Sequence, residues 1–141
     1  HHWGKSVGMS GNDSRVCFSA PLAKLLEVAD RGTVYVRVDY TDKSGRVYHN
    51  NYCLGKQKDM DYPKVDLQTE VHSIEGGYEV MVSADKFARA VCLSVADNES
   101  VYSDNYFDVQ PKGSVQVQVR TRLSAEAFNG SLRLTCLNNE F

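Results

Sequence analysis

Along this chain the apolar residues change spacing near Gly32, from a helical repeat to strict alternation. Before it, Leu22, Leu25, Leu26 and Ala29 recur at the spacing of one helix face, with Ser19 as N-cap candidate and Pro21 in the first turn. A short helix is therefore expected over 19–30, ended by Gly32, and it is the only convincing helix in the pattern. After it, Val34, Val36 and Val38 alternate with Tyr35, Arg37 and Asp39, which predicts a strand that buries its valine face. Asp42-Lys-Ser-Gly45 is a turn signal and Arg46–Leu54 returns as a second strand, so residues 33–54 read as a β-hairpin. Upstream, Arg15–Phe18 fits a short strand, and residues 1–14 carry Gly, Ser, Asn and Asp without period and read as a flexible arm.

Gly55–Pro63 is short, polar and closed by proline, the best linker candidate in the chain. Beyond it, alternation predicts strands over 65–71, 78–82, 91–95, 106–109, 114–122 and 132–137. Between them lie a Gly76-Gly77 turn, a single helical turn expected over Ser83–Ala88 and a turn-like insert over Ser124–Phe128. Short strands at about 8–12-residue intervals point to an all-β fold, an immunoglobulin-like β-sandwich. The expected organisation is an arm (1–14), a partial sandwich-like segment with the helix and hairpin (15–60), and the sandwich (61–141). A chain of 141 residues fits one domain plus a fragment of a neighbour, and excludes a (β/α)₈ barrel, which needs about 200 or more.

Charge sharpens this division. Residues 1–64 hold ten Lys/Arg against seven Asp/Glu, whereas residues 65–141 hold six against eleven, so the two segments differ in character. Over the whole chain the net charge is −2 and the basic residues are scattered, which argues against nucleic acid as a partner. A hydrophobic share of 42% is enough for a packed core. No apolar run approaches the roughly 20 residues of a membrane helix and no leader pattern opens the chain, so a soluble chain without a membrane partner is expected. His1 and His2 read as a tag remnant.

Candidate chemistry is sparse. Cys17, Cys53, Cys92 and Cys136 are too far apart for a C-x-x-C pair; an even count permits two disulfides, but their apolar surroundings read more simply as buried free thiols. His49 and His72 have no second ligand at useful spacing, so no metal and no cofactor is expected. There is no G-x-S-x-G, no phosphate loop, and no carboxylate pair that spacing alone could identify. Asn12-Asp-Ser14, Asn98-Glu-Ser100 and Asn129-Gly-Ser131 match the glycosylation sequon and fit turns equally well. Trp3 and Tyr102 are the candidates for a sugar contact, with anchoring on apolar surface as the simpler reading of Trp3.

Two stretches stand out. Phe87-Ala-Arg-Ala-Val-Cys-Leu-Ser94 is followed by Ser103-Asp-Asn-Tyr-Phe-Asp-Val-Gln-Pro111, a polar loop able to bond its own backbone, then aromatics, then a turn. They resemble the C-terminal immunoglobulin-like domain of β-mannosidases of glycoside hydrolase family 2, where one strand reads roughly L-A-R-x-V-x-L-S and a later segment S-D-N-Y-F-D-L-x-P-G. Here Val109 stands for Leu and Lys112 is inserted before Gly113. The resemblance extends over 65–141 and marks Ala88, Arg89, Leu93, Ser103, Asp104, Asn105, Tyr106, Phe107 and Pro111 as family-motif positions with structural roles. Asn51–Lys58 resembles the closing strand and linker of the sandwich domain that precedes it in that family.

The resemblance implies a parent enzyme that removes terminal β-mannosyl residues with two glutamates on a barrel, neither of which this chain contains. It also implies a secreted, periplasmic or lysosomal setting. Asn139-Glu140 is similar to the Asn-Glu pair carrying the acid/base in such enzymes, yet sits away from any barrel, and that role is not transferred. The expectation is a non-catalytic accessory domain whose partner is the rest of the parent hydrolase. The rivals are a carbohydrate-binding module for mannose-containing glycan and a stand-alone assembly or adhesion domain that pairs with itself. A lone hairpin is marginal in water, so residues 15–60 must pack on the sandwich, on another copy or on further sequence.

Overall fold

The computed structural model describes residues 3–27 and 29–140. The expectation for His1 and His2, and the positions Val28 and Phe141 inside the expected helix and sandwich, lie outside them. In chain order the elements are helix α1 (Leu22–Leu25), strands β1 (Tyr35–Thr41), β2 (Val47–Cys53), β3 (Leu67–Ile74), β4 (Gly77–Ala84), β5 (Ala88–Ser94), β6 (Val101–Tyr102), β7 (Phe107–Val109) and β8 (Ser114–Arg120), helix α2 (Ala125–Ser131) and strand β9 (Arg133–Thr135). Every strand pairing is antiparallel.

The sandwich forms because alternation in its strands places one apolar row inward. Along β4, Tyr78, Val80, Val82 and Ala84 are buried while their neighbours are half-buried, the period-2 signature read in the sequence. β4 sits within a four-stranded sheet of order β3-β4-β8-β6, and β5 is central in a three-stranded sheet of order β7-β5-β9. Val80, Val82, Val117 and Val119 of the first sheet and Val91, Leu93, Phe107 and Val109 of the second form one shared core. Phe128 of α2 is fully buried against it and stacks on Tyr78 with ring centroids 4.1 Å apart. Gly76, with φ of +76°, turns the chain between β3 and β4. At Gly77 a Cβ would lie 2.0 Å from the Val119 carbonyl oxygen, so only glycine lets β4 and β8 approach there.

Several expected elements differ. The helix over 19–30 is a four-residue turn with Pro21, not Ser19, at the N-cap position and no side-chain cap. So short a turn has almost no internal hydrogen bonding to sustain it. Its expected face is nonetheless right, because Leu22, Leu25, Leu26 and Ala29 are half-buried. Gly32 is not its terminator: it marks a backbone crossing, where a Cβ would stand 2.9 Å from the Asp59 carbonyl and where its own carbonyl accepts from Asp61 N–H at 2.8 Å. Arg15–Phe18 is no strand, having no partner among the described residues, and Cys17 there is exposed rather than buried. Ser83–Ala88 is not a helical turn, since Ser83 and Ala84 end β4 and Ala88 opens β5. The insert over Ser124–Phe128 is instead a true helix, capped by Ser124 Oγ accepting from Ala127 N–H at 3.3 Å. Of the four cysteines, all free, only Cys136 is fully buried, and burial pushes its thiol pKa up.

Because Phe128 anchors α2 in the core, fully buried and stacked on Tyr78, Phe128→Ala is expected to cost about 3–5 kcal/mol, read as a lowered midpoint in urea with an unchanged slope. A loss under about 1 kcal/mol would show that α2 does not plug the core. Gly77→Ala should remove amide protection across β4 and β8 in hydrogen exchange, and full retention of that protection would contradict the close approach.

Candidate functional site

The motif residues meet at a β-bulge. Ala88 pairs with Val109 and Val91 with Phe107, so two residues of β5, Arg89 and Ala90, oppose the single residue Asp108 of β7. Ala90 takes a left-handed conformation with φ of +51°, turning its N–H toward the Asp108 carboxylate, which accepts it at 3.0 Å. The same carboxylate accepts from Arg89 Nη1 and, at 2.8 Å, from Asn51 Nδ2 of β2. Arg89 is the cation that offsets a carboxylate whose side chain is only 9% exposed. Burial disfavours the Arg89 cation, but the charge and hydrogen bond of Asp108 outweigh it, and the net pKa shift is upward. Its Nε is buried without a partner among the described residues.

From this point the contacts run into the hairpin. Asn51 Oδ1 accepts from Gln110 Nε2 at 3.3 Å, and Gln110 Oε1 accepts from the Tyr35 hydroxyl at 2.9 Å. The Tyr35 ring stacks on Phe87 with centroids 4.1 Å apart, and the Cys53 thiol lies 3.4 Å from the Tyr62 hydroxyl. Burial pushes the phenols of Tyr35 and Tyr62 up, Tyr62 more strongly, with the Cys53 contact adding to it. Tyr35, Met60, Tyr62, Phe87 and Pro111 line a shallow cleft of about 290 Å³ along this seam. On the sandwich side, buried Asn138 donates to the carbonyls of Pro63 and Phe87 and accepts from Arg89 N–H, all within 2.8–2.9 Å. Asn139 pairs with both backbone groups of Val65 at 3.0 and 3.1 Å. Asn139 thus works as a backbone clasp.

The remaining motif positions shape the loop that precedes β7. Asn105 accepts from Leu93 N–H at 2.8 Å and donates to the Leu93 carbonyl at 2.9 Å, replacing a strand partner where β7 has not begun. Asp104 caps Asn105 N–H at 2.8 Å, and Ser103 makes two bonds to the Gln118 backbone that prolong the β6–β8 pairing. Ala88, Leu93 and Phe107 are buried core. Tyr106 has φ of +60° and leaves its ring exposed, with its pKa raised by a hydrogen bond to the Cys92 thiol. Trp3 lies 5.2 Å from Phe18, and Tyr102 packs against the core cluster. No group of three or more metal-ligating side chains occurs among the described residues.

The hairpin reverses the expected faces. Residues opposite one another share a face, so Tyr35, Arg37 and Asp39 lie with Cys53, Asn51 and His49, and this mixed polar face meets the sandwich through Tyr35, Asn51 and Cys53. The other face carries Val36, Val38 and Tyr40 opposite Tyr52, Asn50 and Tyr48. Val38 is 59% exposed, Tyr40 59% and Tyr52 69%. Of the valine row expected to be buried, Val34 and Val36 are half-buried and Val38 is open, because hydrogen bonds at the bulge, rather than apolar area, decide which face docks. Tyr40 and Tyr48 stack at 6.0 Å, with Arg46 lying 5.1 Å from the Tyr48 ring. Nothing in the sequence pattern marks Asp108 or Asn51 as site residues beyond the place of Asp108 between two buried positions, Phe107 and Val109, on a three-residue strand.

Removal of the carboxylate leaves Arg89, Ala90 N–H and Asn51 without their acceptor. Asp108→Ala is expected to cost about 3 kcal/mol and to deprotect the β1–β2 amides in hydrogen exchange before those of β4 and β8. Asp108→Asn, which keeps one acceptor, should fall between. Equal loss of protection throughout the chain would refute a separate hairpin junction.

Among curated proteins, none matches this chain. Residues 62–140, more than half of it, match the family model Ig_mannosidase, an Ig-fold domain. The match spans the two sheets, the bulge and the Asn138-Asn139 clasp, and it agrees with the resemblance carried by Phe87–Ser94 and Ser103–Pro111. No helix among the described residues is long and apolar enough to cross a membrane. With its sandwich, its bulge and this match all falling on the same residues, the chain belongs to the Ig_mannosidase family of Ig-fold domains.

Proposed function

We propose that this chain is a non-catalytic accessory part of a β-mannosidase-like glycoside hydrolase: the sandwich is a base, and the hairpin is the surface it presents to the rest of the parent enzyme. The observation that carries this reading is the exposed group Val38, Tyr40, Tyr48 and Tyr52 on one face of β1 and β2, with Val36 half-buried beside it, on a hairpin whose opposite face is already bonded to the sandwich. A largely apolar face on a two-stranded sheet, here interrupted only by Asn50, is unfavourable in water and is relieved by a covering layer. The partial sandwich-like segment expected over 15–60 is then one layer of a second sandwich, completed by other parts of the parent polypeptide. Residues 61–141 are a fold unit of their own in this reading.

A second reading has one observation in its favour. Three tyrosines on one open sheet face could stack on sugar rings, as in a carbohydrate-binding module, with Trp3 and Tyr102 as further contacts.

The test is made in the parent polypeptide that carries this segment. Val38→Asp with Tyr52→Ser should lower its melting temperature and speed proteolysis within 33–54, while the isolated chain, where the face is already open, keeps its own melting temperature. No change in the parent would overturn the docking reading. Calorimetric titration of the isolated chain with β-1,4-linked mannan fragments should give only heats of dilution; saturable heat lost in Tyr48→Ala and Tyr52→Ala would transfer the face to the sugar-binding reading. Turnover of an aryl β-mannoside by the isolated chain would overturn the non-catalytic assignment.

A further inference from the structure

Strand β3 is an edge that the fold leaves open. It runs eight residues in unbroken register with β4, at roughly 3.3 Å per residue, and no strand lies along its other side among the described residues. The other sandwich edges are short, two residues in β6 and three each in β7 and β9. Long edges ordinarily carry charged side chains, lysine above all, a proline or a bulge that blocks pairing. β3, Leu-Gln-Thr-Glu-Val-His-Ser-Ile, has no lysine, proline or bulge, and its one carboxylate is Glu70.

We infer that β3 pairs antiparallel with β3 of a second copy of this chain, around a dyad at Val71. The central five residues of the strand, Thr69 to Ser73, are complementary to themselves in that register, with Gln68 facing Ile74 outside them. Glu70 then faces His72 of the other copy and His72 faces its Glu70, an acceptor-only carboxylate opposite an imidazole that can donate, twice. Thr69 faces Ser73, a hydroxyl pair, and Val71 faces Val71. Even-numbered residues of β3 share the outer face and odd-numbered residues the inner one, so the joined sheet keeps each face on its own side. The two nearest registers that also preserve the faces lose this match. A dyad at Glu70 opposes two carboxylates, and a dyad at His72 sets Glu70 against Ile74. Along the joined edge the charged outer-face groups of this sheet are Glu70, Glu79 and Arg120, with His72 directly opposite Glu79 of its own β4.

This contact uses neither the hairpin face nor its junction, and it holds or fails independently of the docking reading. An edge-to-edge contact of this length is small, so the pairing is weak and belongs to high-micromolar concentrations. Sedimentation equilibrium of the full chain, repeated in a Val38→Asp background that removes association through the hairpin, should give a monomer–dimer equilibrium. His72→Glu, which opposes carboxylates twice, should raise its dissociation constant about tenfold or more. The exchanged double variant Glu70→His/His72→Glu restores the complementarity and should return the constant to within about threefold of the parent value. In hydrogen exchange, the outward amides of β3 should gain protection with concentration. A monomer at about 1 mM, a dimer indifferent to His72→Glu, or a double variant no better than the single one would each overturn the inference.

Discussion

The carboxylate of Asp108 is the centre of the contacts between the hairpin and the sandwich. It takes the Ala90 N–H that the bulge turns outward, the Arg89 guanidinium beside it, and the Asn51 amide from the hairpin. The arrangement is self-consistent because the bulge supplies both donors on β5: a regular strand would send Arg89 and Ala90 to opposite faces, whereas the extra residue brings the backbone donor of one and the side chain of the other to one acceptor. Without Arg89 the carboxylate would be a nearly buried, uncompensated charge, and without Asp108 the left-handed Ala90 would lose the bond that holds it.

The consequence for the hairpin is an inversion of its usual logic. Sheets in water normally dock their apolar face and leave the polar one wet. Here the docked face contributes an amide, a phenol and a thiol, each with a specific partner on the sandwich, and Val38, Tyr40 and Tyr52 on the other face stay open. Specific polar contacts are worth most when the groups they join are withdrawn from water, and the Tyr35–Phe87 stack shields this seam. The hairpin is thereby held in one orientation, with Val38, Tyr40 and Tyr52 presented outward.

How much of this was legible in the sequence depends on the kind of contact that decides each element. The sandwich strands were readable because Val80, Val82, Val117 and Val119 sit at period two and burial alone positions them. The hairpin was readable for the same reason, and its turn too, where Asp42 Oδ1 accepts from Ser44 and Arg46 N–H. Its orientation was not, because periodicity reports which residues share a face and not which face finds hydrogen-bond partners some 57 residues away, as Asn51 does in Asp108. Four well-spaced apolar residues over 19–30 overstate a helix that amounts to one four-residue turn, whereas α2 rests on a cap and an anchor, Ser124 and Phe128, that periodicity does not register.

The motif residues illustrate a further division of labour. Ser103, Asp104 and Asn105 look like chemistry in a linear sequence, being a run of polar side chains beside aromatics. Their bonds go to Gln118, Asn105 N–H and Leu93, all backbone groups that the irregular entry to β7 leaves without strand partners. The same holds for Asn138 and Asn139 at the other end of β5, whose amides satisfy Pro63, Phe87 and Val65. Side chains so occupied are structural substitutes for missing ladder, and a motif built of them specifies the bulge between β5 and β7 rather than a reaction. What such a motif transmits is geometry: it sets where Arg89 and Asp108 stand, and through Asn51 it sets which face of the hairpin the chain turns outward.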